Sequence, residues 1–172
     1  MLKLALIFGG RSAEHEISLA SARFVAAMLD RDRYEVVPVG ITPAGRWVVP
    51  DDFDAAVTAG LDAVPSRAVH LVTDPGRPGL AFPEGPFVPL DFAFPIMHGT
   101  FAEDGTVQGL LEMAGLAYAG AGVLGSSVGM DKELMKAVFA AAGLLSAPVG
   151  FVITTIGAVG WARNRNPEAP KS

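Results

Sequence analysis

An α/β domain, built on an open and mainly parallel sheet flanked by helices, is predicted for this chain by three observations. Short and nearly all-apolar runs alternate with stretches whose apolar residues recur every three or four positions. Two of those runs end in glycine, at Phe8-Gly9-Gly10 and Met97-His98-Gly99, where strands of such a sheet hand over to ligand-facing loops. The 172 residues, 51% of them hydrophobic, suffice for one domain with a real core, or one domain and part of a second.

Residues 2–8 (LKLALIF) read as a buried strand. Ile17, Ala20, Phe24, Ala27 and Met28 then recur at helical spacing and predict the apolar face of a helix running to about Asp30. Residues 35–41 (EVVPVGI) form a second strand, in which Pro38 argues for an edge position or a bulge. Residues 46–49 add a hairpin arm after the Thr42-Pro43-Ala44-Gly45 turn, 51–60 a short helix and 68–72 a short strand. Residues 75–89 hold five prolines and three glycines and read as a loop. Residues 91–97 (DFAFPIM) are another buried strand. Val107, Leu110, Leu111 and Ala114 form a helical stripe, and Leu134, Val138 and Ala141 mark a further helix with Asp131 as its cap. No internal repeat is visible.

Charge and composition narrow the function. Thirteen Lys and Arg stand against 18 Asp and Glu, a net charge of −5, and no basic stripe offers itself to a phosphate backbone; nucleic acid is a poor partner. There is no cysteine for a disulfide or a thiolate metal site, and three scattered histidines argue against an imidazole cluster. The apolar run at residues 4–8 is too short for a secretory leader, and no apolar stretch reaches membrane-spanning length. A soluble, cytoplasmic protein is expected, with no membrane partner.

Three polar stretches could carry chemistry. After Gly9-Gly10 the chain enters Ser12-Ala13-Glu14-His15-Glu16, where the glycines admit a ligand close to the backbone and a helix N-terminus follows. Ser12 as a cap and two glutamates complementing the dipole explain the same residues without a ligand. The second stretch, HGTFAEDGTVQG at 98–109, is either a ligand-facing loop or an Asp-Gly turn with His98 as a satisfied polar residue. The third, GSSVGMDKELMK at 125–136, fails the phosphate-loop pattern because Met130 follows Gly129; Lys132 and Lys136 share one helical face, open to an anion or to water.

Together, Gly9-Gly10-x-Ser12-Ala13-Glu14-x-Glu16-Ile17-Ser18-Leu19, His98-Gly99-x-x-x-Glu103-Asp104-Gly105-Thr106-x-Gln108-Gly109 and Met130-Asp131-Lys132 resemble, in order and spacing, the N-terminal part of the D-alanine–D-alanine ligases, ATP-grasp enzymes of cell-wall synthesis. The resemblance spans residues 1 to about 151. It implies a substrate-binding α/β domain over 1–121, a hinge and the first helix of an incomplete ATP-grasp domain over 122–151, and an atypical tail over 152–172.

The resemblance also implies a reaction, in which ATP phosphorylates one D-alanine carboxylate and the amine of a second D-alanine displaces the phosphate. Glu14 would hold the ammonium of the first D-alanine with Ile17 beside it, His98 would lie near the same substrate, and Gly9, Gly10 and Gly99 would leave room for it. Lys132 would reach the nucleotide phosphates. Ser126 and Ser127 take no catalytic role, because their Gly-Ser-Ser-Val-Gly string stands directly before Met130-Asp131-Lys132. ATP and magnesium are the family's cofactors. The magnesium carboxylates of family members belong to regions beyond this sequence, so the chain is expected to be a truncated portion, inactive alone and binding ATP weakly if at all. A homodimer is implied by the same analogy. Two other readings stand beside this one: a fragment that only binds or dimerises, and an unrelated nucleotide-binding α/β domain, against which the missing glycine fingerprint speaks.

Overall fold

The structure, a computed structural model, describes residues 1–144. The elements run β1 (Leu2–Gly9), α1 (His15–Met28), β2 (Tyr34–Ile41), β3 (Trp47–Pro50), α2 (Phe53–Ala59), a 3-10 turn (Leu61–Ala63), β4 (Ser66–Ala68), β5 (His70–Val72), β6 (Gly79–Ala81), β7 (Val88–Pro89), β8 (Phe92–Pro95), α3 (Thr106–Met113), α4 (Val123–Met130) and α5 (Lys132–Ala141). The five-stranded sheet has the order β4-β3-β2-β1-β8. β1 lies parallel to β2 along its whole length and parallel to β8 from Leu4 to Ile7, whereas β3 and β4 close one edge antiparallel.

β1 is central and both its faces are buried, which is why it reads as a continuous apolar run. Its residues alternate between two cores. Leu4, Leu6 and Phe8 pack with Leu19, Ala22 and Ala26 of α1, while Ala5 and Ile7 pack with Val39, Ile41, Val107 and Leu111 on the α3 side. Phe8 meets Phe53 of α2 edge-on at 5.6 Å between ring centroids.

Helix α1 is where the sequence expectation fails in orientation. Ile17, Phe24 and Met28 are 55%, 69% and 72% exposed, and Ala20 and Ala27 are exposed with them; the buried face is His15, Ser18, Leu19, Ala22 and Ala26. Both stripes have helical period, so periodicity alone does not choose between them. Polar contacts do: the Ser18 hydroxyl accepts from Gly9 N–H at 2.8 Å and donates to Ile96 C=O at 2.7 Å, fixing the rotation of the helix against the sheet.

Pro38 sits in an interior strand, yet β3 pairs with β2 only at Gly40 and Ile41, so no ladder partner needs the missing proline N–H. The predicted strand over 68–72 divides at buried Val69 into β4 and β5. The predicted loop over 75–89 carries β6 and β7, which pair with β5 in a second, antiparallel sheet. Gly79 makes this possible, since a side chain there would collide with the Phe87 ring, and Arg77 stacks over that ring at 4.0 Å. Leu80 is the buried anchor.

Beyond α3, Tyr118 continues the sheet through a parallel bridge to Ala93, its hydroxyl donating to Glu112 Oε1 at 2.9 Å. Burial, together with that bond to the Glu112 charge, pushes the Tyr118 phenol above its ordinary value. The expected stripe of α5 is likewise rotated: Met135 and Phe139 are buried, Leu134 and Val138 about half exposed. Asp131 caps α5 as expected, accepting from Glu133 N–H at 3.1 Å and Leu134 N–H at 3.0 Å. Gly-Ser-Ser-Val-Gly is part of α4 rather than an open loop. The boundary near 151 and the tail over 152–172 lie outside the described residues, as does most of the apolar run that begins at Leu144.

Candidate functional site

Since β1 and β8 are neighbours, the loops that leave their carboxyl ends, 9–14 and 96–105, stand side by side. They are joined by serine hydroxyls. Ser12 Oγ donates to the His98 carbonyl at 2.6 Å, and Ser18 links Gly9 to Ile96. His98 Nε2 lies 3.1 Å from Ser21 Oγ, and that hydroxyl donates its hydrogen to the Ile17 carbonyl at 2.9 Å. The Ser21 hydroxyl thereby joins the His98 ring to the first turns of α1.

Glu14 occupies the N-cap position of α1, but its carboxylate makes no capping bond. It points across to the other loop instead: a methyl group placed on Gly99 would lie 3.4 Å from Glu14 Oε1 and 3.2 Å from Ser12 Cβ. Gly99 also holds φ at +73°, a left-handed conformation that favours glycine, and the space beside Ser12 is tight. Gly9 and Gly10 turn with φ of +84° and +114°. Gly10 N–H donates to Ile41 C=O at 2.7 Å, and a side chain on Gly9 would strike that same carbonyl. Buried His15 donates from Nδ1 to the Gly10 carbonyl at 2.8 Å, which locks the turn from below.

The loop after His98 is fastened by its own carboxylates. Glu103 Oε2 accepts from Gly99 N–H at 3.1 Å, and Asp104 accepts from Phe101 N–H at 2.8 Å and Thr106 N–H at 3.0 Å. What burial Asp104 has raises its carboxyl, but the hydrogen bonds from Thr106 and Phe101 outweigh it and hold the group below the ordinary carboxylate value. Ser127 Oγ of α4 lies 2.9 Å from both the Asp104 and the Val123 carbonyls, with Gly105 beneath it where any side chain would clash.

Of the residues singled out from the sequence, Gly9, Gly10, Glu14, His98 and Gly99 lie on the two adjacent strand-end loops, Glu14 beside Gly99, and Ile17 is exposed on the first turn of α1. Lys132 stands apart, as the first residue of α5 and exposed. The residues that hold the crevice together, His15, Ser18 and Ser21, were not assigned a role from sequence. A serine four residues after the glutamate and another three further on were the available signal. Among the described residues no group of three or more carboxylate or imidazole side chains could hold a metal ion. They do not compose a magnesium site, and no step through magnesium or ATP follows from them. Nor, among the described residues, is any helix long and apolar enough to cross a membrane.

Residues 3–121 match the family model described as the D-ala D-ala ligase N-terminus. A D-alanine–D-alanine ligase of Nocardia farcinica is 48% identical over 158 residues, covering 87% of this chain and 43% of the relative; one of Mycobacterium avium is 45% identical over 160 residues, covering 87% and 42%. Among solved structures, the VanG D-Ala:D-Ser ligase of Enterococcus faecalis superposes with a TM-score of 0.77 at 31% identity, over 83% of this chain and 42% of that one. The ligase of Coxiella burnetii gives 0.74 at 35%, over 83% and 41%, and a Bacillus anthracis ligase complexed with ATP gives 0.53 at 26%, over 83% and 37%. The chain thus spans less than half the length of the relatives it matches. With the matched glycine turns, the serine braces and the paired strand-end loops all falling within the matched region, the chain belongs to the D-alanine–D-alanine ligase family and corresponds to its N-terminal part.

Proposed function

We propose that this chain is the first-substrate half of an ATP-dependent D-alanine–D-alanine ligase serving peptidoglycan precursor synthesis in the cytoplasm, and that by itself it does not turn over. The observation that carries the reading is the Glu14 carboxylate, which makes no capping bond and stands beside Gly99 where two adjacent strand-end loops meet. A carboxylate in that position is a natural partner for a small ammonium group, through a charge-assisted hydrogen bond. The glycine turns at 9, 10 and 99 bring the two strand-end loops together, with the Glu14 carboxylate where they meet. His98, whose Nε2 lies beside Ser21 Oγ, is assigned to orient the same zwitterion. Ile17 supplies an apolar wall for its methyl group.

Phosphoryl transfer depends on positioned metal ions and cationic groups. The resemblance gives Lys132, exposed at the start of α5, as the phosphate-facing candidate, and one such cation is too little for catalysis. Purified chain is therefore expected to release no phosphate in response to D-alanine and ATP; turnover free of contaminating ligase would overturn the inactive reading. The homodimer that the family resemblance implies is tested by sedimentation velocity, in which a monomer at all concentrations removes it.

The site itself is tested by calorimetric titration with D-alanine. Wild-type chain is expected to bind and Glu14→Gln to lose most of the heat, since the neutral amide forfeits a charged hydrogen bond worth about 1.5–3 kcal/mol. Identical isotherms for the two proteins would remove Glu14 from the site.

A further inference from the structure

A cavity of about 340 Å³ opens between the 9–14 loop, the β2–β3 hairpin and the start of α3. Its walls are apolar, with Ile41, Trp47, Met97, Val107 and Leu110, and the guanidinium-bearing Arg11 stands at its rim. Of the residues assigned to the D-alanine site, Gly10 alone borders this space.

Arg11 is fixed at both ends. Its stem lies over the backbone of Gly45, where a Cβ would come within 2.8 Å of Arg11 Cδ, and Gly45 itself holds φ at +87°. Its guanidinium stacks on the Phe101 ring, 5.0 Å from the centroid. Phe101 is the one non-glycine residue with positive φ (+68°) among the described residues, and it is held there by the Asp104 carboxylate on its N–H. A bulky side chain in the left-handed region is strained, and such strain persists only where the surroundings over-determine it. The cation it supports enters no ion pair among the described residues. An oriented, unpaired guanidinium at the mouth of an apolar cavity is a site prepared for an anion carried on an apolar body.

We propose that this cavity binds a small monocarboxylate with an aromatic or branched apolar body, its carboxylate on Arg11 and its body between Trp47 and Leu110. The proposal does not depend on D-alanine binding at Glu14.

Benzoate is the probe, with benzamide as its neutral counterpart, titrated calorimetrically into the full chain. Benzoate is expected to bind; benzamide, and benzoate on Arg11→Gln, are expected to bind at least roughly tenfold more weakly, as loss of a charged hydrogen bond requires. Arg11 is exposed, so Arg11→Gln keeps the fold, and unchanged thermal unfolding checks this. Leu110→Trp, which fills the cavity while keeping Arg11, is expected to abolish binding, and Glu14→Gln to leave it intact. No benzoate binding to the wild type, equal affinity for benzamide, equal affinity in Arg11→Gln, or loss in Glu14→Gln would each overturn the proposal.

Discussion

At Ser18 a single side-chain hydroxyl serves two strands, accepting from the end of β1 and donating to the segment just after β8. Its side chain is fully buried, so Ser18→Ala leaves the buried Gly9 N–H without its partner and breaks the link to the Ile96 carbonyl. The expected cost is roughly 1–3 kcal/mol in denaturant unfolding, with D-alanine binding weakened because the 9–14 and 96–105 loops lose a joint. A midpoint equal to wild type would show that the hydroxyl is dispensable. Gly99→Ala tests the same joint from the other loop. It forces a Cβ toward Ser12 and an L-residue into φ +73°, and a loss of about 1 kcal/mol or more is expected from the conformation alone.

At the scale of the element, α1 makes the clearest prediction. Leu19→Ala removes a side chain from the core between α1 and β1, and about 2–5 kcal/mol should be lost. Phe24→Ser, on the opposite and exposed stripe, should change chain stability by less than about 0.5 kcal/mol despite deleting a larger apolar group. Comparable losses from the two variants would mean that the helix is rotated from the orientation its serines impose. Helix α5 is tested at its cap, where Asp131→Ala should cost about 1 kcal/mol and fray the first turn in amide exchange. These two helices also show what a sequence pattern can and cannot convey. The recurrence of Ile17, Ala20, Phe24 and Met28 located α1, but Leu19, Ala22 and Ala26 recur at the same period, and hydrophobicity ranks the wrong stripe first. Small inward residues let the helix lie close to the sheet, while Ser18 and His15 find their acceptors only on that side. In 75–89 the prolines and glycines correctly marked breaks in the chain. They concealed two short strands whose pairing comes from residues distant in sequence.

For the whole molecule, the dependence of stability on pH has a definite sign at each end. Asp104 has a folded-state pKa below its unfolded value of 3.8, so its contribution is complete above that value and is lost as pH falls through the lower folded one. Tyr118 has a folded-state pKa above its unfolded value of 10.0, so its contribution is complete below 10.0 and is lost as pH rises toward the folded one. Unfolding measured across pH should therefore show a plateau that falls on both sides. Asp104→Asn should flatten the acid limb and Tyr118→Phe the alkaline limb; unaltered limbs in the variants would assign the pH dependence to other groups.

The amino-acid order alone determined the alternation of strand and helix, the buried β1, the glycine-marked strand ends and the family to which they belong. These are local matters of period, turn chemistry and motif spacing. Only the tertiary structure decided which face of α1 meets the sheet, that His15, Ser18 and Ser21 brace the crevice, and that Arg11, Gly45 and Phe101 meet around a second cavity. Each of those depends on contacts between residues far apart in the chain, set by the pairing of β1 with β2 and β8, which no window of sequence contains.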